Sequence, residues 1–367
     1  MKKKIEFILM VNSLCKMFSK KSHKSMMTNN FTNIIALVNV KSGSGKGLKI
    51  LNEFKKIENC FAINILNYDE MELLTLFDKY KDICVILAGG DGTISLGFDI
   101  LNNLLEKRVP VAFLPIGTGN ELCGCTGWSN SHNGRNMEKY ITQVQNGQVS
   151  FIDIWNIKYI DNEGIDHSII RNNIMASFLG IGFDANITEN FHQKRDSKKK
   201  QPSIITSKLS YINLGIKEMF NQSKYINDYI KIYANGKQII IPKNIRCLQI
   251  LNINSIANCI NLFGNGKSNK NDLLQEGQYS SPKLNDGLLE IVGTQSIHHM
   301  NCMRLNIDHS IRLAQSSKIT IQILTPLSVQ IDGESWLNPK GSIEISCLGK
   351  WSFIQGPHNN ASTRRGI

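Results

Sequence analysis

From residue 33 to about 149 the chain alternates short apolar runs with stretches whose apolar residues return every three or four positions. Residues 34–40, 61–66, 83–88 and 109–114 read as strands, and 46–57, 69–80 and 93–106 read as helices between them. Strands separated by helices imply a parallel sheet with helices on its faces. After about residue 150 the texture changes. Strand-like runs dominate, at 151–157, 174–183, 229–233, 245–253, 288–292, 319–324, 327–329 and 343–347, with helical stretches only near 184–193, 205–220 and 297–308. The expected fold is α/β: an N-terminal Rossmann-like parallel-sheet nucleotide domain followed by a β-rich sandwich domain. The divisions are a tail over 1–30, a nucleotide domain over 31–150, a β-rich domain over 151–356 whose last strands can return to the first, and a second tail over 357–367. Polar loops rich in lysine or asparagine are expected at 194–203 and 264–284.

Glycine clusters fall where three of the early strands end. The most informative is Gly89-Gly90-Asp91-Gly92-Thr93, between a wholly apolar strand and a helix whose face is Ile94, Phe98, Leu101 and Leu105. A glycine loop at that junction lets backbone N–H groups approach an anion at the positive end of the helix dipole. Asp91 is out of place in a loop that serves only to bind phosphate; a metal-binding or proton-transfer role accounts for its charge. The plainer alternative is a tight turn with Asp91 capping its own helix. The loop Lys41-Ser42-Gly43-Ser44-Gly45-Lys46-Gly47 fails the P-loop template, since Val40 stands where the first glycine belongs and no Ser or Thr follows the lysine. It still offers amide and basic groups at a strand-to-helix turn. Pro115-Ile116-Gly117-Thr118-Gly119-Asn120-Glu121-Leu122 is the third such loop. Ligands of open parallel sheets bind at the carboxyl ends of the strands, so three loops there converge on one nucleotide crevice.

Composition sharpens the choice of partner. The chain has 367 residues, is 41% hydrophobic and carries a formal charge of +12, which suits anionic partners such as a membrane surface or the phosphates of nucleotides and lipids. No aromatic-rich basic sheet motif for RNA occurs, and no nucleic-acid partner is expected. Nine cysteines are scattered without a Cys-x-x-Cys pair, which argues against a zinc ribbon and against a disulfide framework and fits a reducing cytoplasm. The apolar stretch 5–14 is too short to span a bilayer and lacks a clear cleavage site. With Lys16, Lys20, Lys21 and Lys24 behind it, the segment reads as a disordered tail or as a basic stretch lying on a membrane.

The second half contributes two acid-bearing turns, Asn285-Asp286-Gly287 and Asp332-Gly333-Glu334. Asp-Gly between β runs is ordinary hairpin chemistry, so each stands as a turn on local pattern. No Gly-x-Ser-x-Gly elbow, metalloprotease helix or calcium loop is present.

Taken in order, these segments resemble the diacylglycerol kinase family over residues 34–356. The resemblance rests on Gly89–Thr93, on the 115–122 loop followed by Gly127-Trp128, and on Asp153 with Trp155. It continues through Gly180–Ala185, His192, Arg195, Lys208 and Tyr211, Leu251-Asn252-Ile253, Asp286–Glu290, Arg312–Gln315 and Gln330–Trp336. It implies a lipid kinase that moves the γ-phosphate of ATP, with Mg²⁺, to diacylglycerol in a membrane, giving phosphatidic acid. By similarity Asn39, Gly89, Gly90, Gly92, Thr93, Gly117, Thr118, Gly119, Asn120 and Glu334 would hold the nucleotide. Asp91 and Glu121 would face the metal. Asp286 is the first choice for the base that accepts the alcohol's proton, and Asp91 the second. The sequence departs from the family pattern at Glu121 (usually Asp), at Cys123-Gly124-Cys125 (usually an Ala-Arg stretch), at Ile154, at Asn258-Cys259 and at Phe263. A sphingosine or ceramide kinase and a catalytically silent lipid-binding homologue are the alternatives; an NAD kinase fits the later segments less well. No cysteine-rich lipid module precedes the catalytic region, so peripheral membrane contact falls to the basic surface, the 194–200 lysine cluster or the N-terminal stretch.

Overall fold

The computed structural model describes residues 31–117, 119–128, 136–167, 173–182, 225–253, 261–264, 279–305 and 307–357. The first unit is β1 (Asn33–Val38), α1 (Lys46–Phe54), β2 (Cys60–Asn64), α2 (Glu70–Lys79), β3 (Ile83–Gly89), α3 (Asp91–Leu104) and β4 (Val111–Pro115), followed by α4 (Glu121–Cys125) and α5 (Met137–Asn146). Its strands run parallel in the order β2-β1-β3-β4. Every residue of β3 is buried, as expected of a central strand covered on both faces. The helices start and stop for local reasons. Asp69 caps α2 by accepting from the Met71 and Glu72 N–H groups at 2.8 and 3.1 Å, and α1 turns Ile50, Leu51 and Phe54 into the core. The chain leaves β1 toward β2 on one side and returns to β3 on the other. The topological switch therefore lies between β1 and β3, and a crevice opens beyond their carboxyl ends.

The later strands are β5 (Val149–Asp161), β6 (Ile174–Met175), β7 (Phe178–Gly182), β8 (Ile230–Ala234), β9 (Lys237–Ile239), β10 (Cys247–Leu251), β11 (Leu289–Thr294), β12 (Ile311–Ser316), β13 (Lys318–Ile323), β14 (Leu327–Ile331), β15 (Glu334–Asn338) and β16 (Gly341–Ile354), with α6 (Ile297–Arg304) after β11. Six of them form an antiparallel sheet in the order β12-β11-β10-β7-β14-β15. The others extend the first sheet. β16 is antiparallel to β5 along its length; its first half also pairs with β13, and near its end Phe353 lies beside Val111 of β4. A bulge interrupts this ribbon between Cys347 and Gly349. There the Arg108 guanidinium donates to the Leu348 and Lys350 carbonyls at 2.9 and 2.8 Å and stacks on Trp351, satisfying carbonyls that the bulge takes out of the ladder.

The sheet extension and the antiparallel sheet pack face to face. Trp155, Ile157, Ile321 and Ile345 meet Leu179, Ile181, Leu248, Ile250 and Val329 in one core, the interior of a sandwich. The opposite face of the antiparallel sheet turns Phe178, Leu251 and Val292 into the core of the first unit. The fold is therefore α/β, with a parallel-strand unit and a separate antiparallel sheet.

Several elements depart from the sequence expectation. The run expected at 174–183 is broken into β6 and β7, because the Ser177 and Phe178 N–H groups turn to a side chain, Asp332, instead of a strand. β9, β12, β15 and the helices α4 and α5 were not expected, and the strand expected at 343–347 is the middle of the longer β16. The helices expected at 184–193 and 205–220, the loop at 194–203 and both tails lie outside the described residues, as does most of the 264–284 loop.

Candidate active site

Three strand-end loops meet at the first turn of α3. Asn39 leaves β1 with its backbone N–H donating to the Ala88 carbonyl, and its Nδ2 donates to Thr93 Oγ1 at 2.9 Å. The amide of Lys41 closes back on Asn39 Oδ1 at 3.0 Å. Gly43, Ser44 and Gly45 then follow with φ of 63°, 57° and 90°. Successive residues in that conformation turn their N–H groups into a concave, anion-accepting surface at the start of α1. No side chain caps α1 at Gly45 or α3 at Gly90, so neither helix start is screened by a carboxylate or hydroxyl of its own cap residue.

The β3 and β4 loops interlock. Ile116 and Gly117 donate their N–H groups to the Gly89 carbonyl at 3.0 and 3.2 Å, and the Asp91 N–H donates to the Gly119 carbonyl at 3.3 Å. A side chain at Gly90 would stand 2.9 Å from the Gly119 carbonyl oxygen, so the approach of the two loops requires glycine there. Thr118 lies outside the described residues. Asn120 folds its Nδ2 onto the Gly117 carbonyl at 2.7 Å.

Asp91 is buried, and both carboxylate oxygens accept backbone N–H groups, Glu121 at 3.0 Å and Leu122 at 3.1 Å. It therefore caps α4, the short helix after the β4 loop, rather than its own helix. This is a structural function that accounts for an acid in the loop without a metal or a proton. Burial pushes its pKa up to about 7, against the pull of those two N–H groups, and the neighbouring charges of Glu121 and Asp332 push the same way.

The second unit reaches this place through the β14–β15 turn. Asp332 and Gly333 have φ of 50° and 85°, as a two-residue hairpin demands. The Asp332 carboxylate is buried and accepts from the Ala176, Ser177 and Phe178 N–H groups at 2.7, 2.8 and 2.8 Å, and from the Ser95 hydroxyl of α3. Burial raises its pKa in spite of four donors. The turn so fixed lays Glu334 on α3: a methyl group at Gly92 would sit 2.7 Å from Glu334 Oε1. Residues 92 and 334 thus meet across the two units, and only a residue without a side chain at 92 leaves room for the carboxylate.

Asp286 lies elsewhere. Its carboxylate accepts from the Leu288 N–H at 3.1 Å. Beside it, buried Asp153 of β5 accepts from the Gly287 N–H at 2.6 Å and donates its own N–H to the Leu284 carbonyl. Burial raises the pKa of Asp286, with the Asp153 charge adding to it; burial carries Glu290 to about 8, with Asp286 adding there. No hydrogen bond or ion pair among the described residues joins Asp286 to the 89–93 loop. Of the residues named from sequence, the structure gathers Asn39, Gly89–Thr93, Gly117, Gly119–Glu121 and Glu334 at one place and sets Asp286 in a second acidic group.

Sequence reasoning named Asp153, Asn252 and Asp332 only as parts of family-like segments and did not single out Ser95; that all four organise the junction comes from the structure. Asn252 is buried, donates to the Asp153 and Ala176 carbonyls at 2.9 and 2.6 Å, and accepts from Trp155 Nε1 at 2.8 Å, tying β5 to the β6–β7 break. The available signal was a polar residue ending an otherwise apolar strand, Leu251-Asn252.

A parallel sheet whose strand-end loops enclose uncapped helix starts, joined to an antiparallel sandwich that returns an acid to it, defines a two-unit α/β protein. Family models for the diacylglycerol kinase catalytic domain and accessory domain match residues 33–157 and 174–335. The chain belongs to the diacylglycerol kinase family. It is 30% identical over 337 residues to "Probable diacylglycerol kinase 3" of Caenorhabditis elegans, covering 85% of this chain and 42% of that protein. It is 28% identical over 335 residues to human diacylglycerol kinase theta, covering 86% of this chain and 34% of that one. The chain thus spans well under half the length of these relatives. A crystal structure of a diacylglycerol kinase from Bacillus anthracis shares the fold, with a TM-score of 0.52, 15% identity, and coverage of 89% of this chain and 98% of that one.

Proposed function

We propose that this protein is an ATP-dependent diacylglycerol kinase, transferring the γ-phosphate to the free hydroxyl of diacylglycerol and releasing phosphatidic acid. The observation that carries this reading is the meeting of Glu334 with Gly92 at the start of α3, in a chain that matches both family domains. The 43–45 turn and the start of α3 at Gly90 and Gly92 would face the triphosphate, with Asn39, Gly117, Gly119 and Asn120 lining the site, and Glu334 would reach the nucleotide from the other unit. Phosphoryl transfer needs little beyond positioning and neutralisation of charge.

The residues present fit Mg²⁺. The charges of Glu121 and Asp332 both oppose ionisation of Asp91, and a divalent cation would relieve that repulsion. No group of three His, Cys, Asp or Glu side chains among the described residues forms a ready cage, which suits an ion carried in on nucleotide phosphates and held by one or two carboxylates. When bound, Mg²⁺ supplies charge neutralisation on the phosphates. Asp91 and Glu121 are the carboxylates that would face it. Asp286 is the proposed proton acceptor, its basicity increased by burial; Asp91 is the second choice. No helix among the described residues is long and apolar enough to cross a membrane; the proposed contact is peripheral, on the cytoplasmic side, with the net charge of +12 favouring anionic headgroups.

Purified protein with labelled ATP, Mg²⁺ and vesicles containing diacylglycerol, sphingosine or ceramide tests the reading. Label in phosphatidic acid is the expected result, with Asp91→Asn and Asp286→Asn each lowering turnover steeply. Label in a sphingolipid alone overturns the substrate, and nucleotide binding with no labelled lipid points to the silent homologue.

A further inference from the structure

The face of the antiparallel sheet turned toward the first unit carries two glutamines that the nucleotide site does not use. Register places Gln330 of β14 opposite Gly180 of β7, Gly180 opposite Gln249 of β10, and Gln249 opposite Val292 of β11. Leu248 and Ile250, on either side of Gln249, point into the sandwich core, so the Gln249 side chain projects from the other face, toward the first unit. Gln249 is completely buried, and among the described residues neither its Nε2 nor its Oε1 has a hydrogen-bond partner. Buried side-chain amides are almost always paired, and one with both ends unmet is a costly feature that calls for an explanation. Gly180 puts no side chain between the two glutamines. One pleat further along, Leu251 lies opposite Phe178, whose N–H is bound by Asp332. The orphan amide thus sits two strands, about 10 Å, across from Gln330 of β14, the strand that leads into the turn before Glu334.

The unmet chemistry is neutral: one group that donates and one that accepts. A glycerol diester offers the complement, an ester carbonyl that accepts and a hydroxyl that donates, in a polar head attached to apolar chains. Phe178, Leu251 and Val292 on the same face supply apolar surroundings for such a head. We infer that the Gln249 carboxamide recognises the glycerol ester head of the acceptor lipid, with Nε2 donating to an ester carbonyl. This deepens the proposed kinase reading and rests on it.

The test uses the full chain, Gln249→Leu, and phosphatidylcholine vesicles containing increasing mole fractions of either diacylglycerol or a dialkylglycerol ether that lacks ester carbonyls. With diacylglycerol, the half-saturating mole fraction should rise roughly ten-fold in the variant, the equivalent of one hydrogen bond, while that for ATP stays constant. With the ether lipid the two proteins should converge. The variant's melting temperature should equal or exceed that of the wild type, because a leucine removes the unmet amide. An unchanged diacylglycerol dependence, an equal loss on the ether lipid, or a marked drop in melting temperature would each overturn the inference, the last by revealing a structural role. If the wild type phosphorylates no lipid, the kinase proposal falls separately. The Gln249 assignment is then decided by dioctanoylglycerol, which should raise the melting temperature of the wild type and not that of the variant.

Discussion

Asp332 is the residue on which the junction of the two units rests, and its removal makes the sharpest prediction. Asp332→Ala strips four hydrogen bonds from one buried carboxylate and leaves the Ala176, Ser177 and Phe178 N–H groups without an acceptor. Each orphaned buried group costs about 1–3 kcal/mol. Part of that is returned, because burial raises the Asp332 pKa even with four donors present, so the charge itself is held at a cost. The net loss is then roughly 3–5 kcal/mol, close to that for breaking other buried charge pairs. Against a typical total of about 5–15 kcal/mol the variant should still fold. Ser95→Ala, which removes one donor and orphans nothing, should lose only about 1 kcal/mol. Urea unfolding followed by tryptophan fluorescence at neutral pH measures both. The Asp332 variant should also lose most kinase turnover, since Glu334 is no longer pinned to α3. An Asp332→Ala protein within about 1 kcal/mol of the wild type would refute the reasoning, because that is the worth of a single ordinary hydrogen bond and not of four.

Two further outcomes follow from the same geometry. Gly92→Ala places a methyl group on the Glu334 carboxylate and should lower turnover at least ten-fold while changing stability by less than about 1 kcal/mol, because the clash is with the far end of an exposed side chain; steady-state kinetics beside a melting curve checks the split. Asp91, with its folded pKa near 7, keeps its proton where an unfolded aspartate has released it, so its contribution to stability is greatest below about pH 4 and is lost as pH rises toward 7. The stability difference between wild type and Asp91→Asn should therefore drift against the wild type by up to about 4 kcal/mol across that window, measured by denaturation at a series of pH values; a flat difference would exclude the raised pKa.

The parallel-strand unit was largely legible because its signal is local. The run Ile83-Cys84-Val85-Ile86-Leu87 is apolar without alternation, as a strand covered on both faces must be, and the helix after it repeats every three to four residues. α5 carries the same kind of signal in Met137, Tyr140, Ile141 and Val144, but it follows a polar stretch and went unread. β12 hides its period because Arg312 is buried between the rings of Phe263 and Tyr279, which puts a charged residue where the pattern asks for an apolar one. β15 is an edge strand with little apolar content. The glycine loops were found by composition, and their convergence followed from strand order. What sequence could not supply was the use of each acid. Asp91 and Asp332 both spend their oxygens on backbone N–H groups about 30 and 155 residues away, and no local pattern distinguishes such an anchor from a ligand for metal.

The β16 strand imposes an order of assembly. The edge of β4 is closed by a segment that leaves the ribosome more than two hundred residues later. Until then the nascent parallel sheet exposes an apolar border able to capture a neighbouring chain. The crevice at the strand ends therefore matures only after β16 has emerged, and a gene fragment ending after α5 would encode an adhesive half-product instead of a closed sheet.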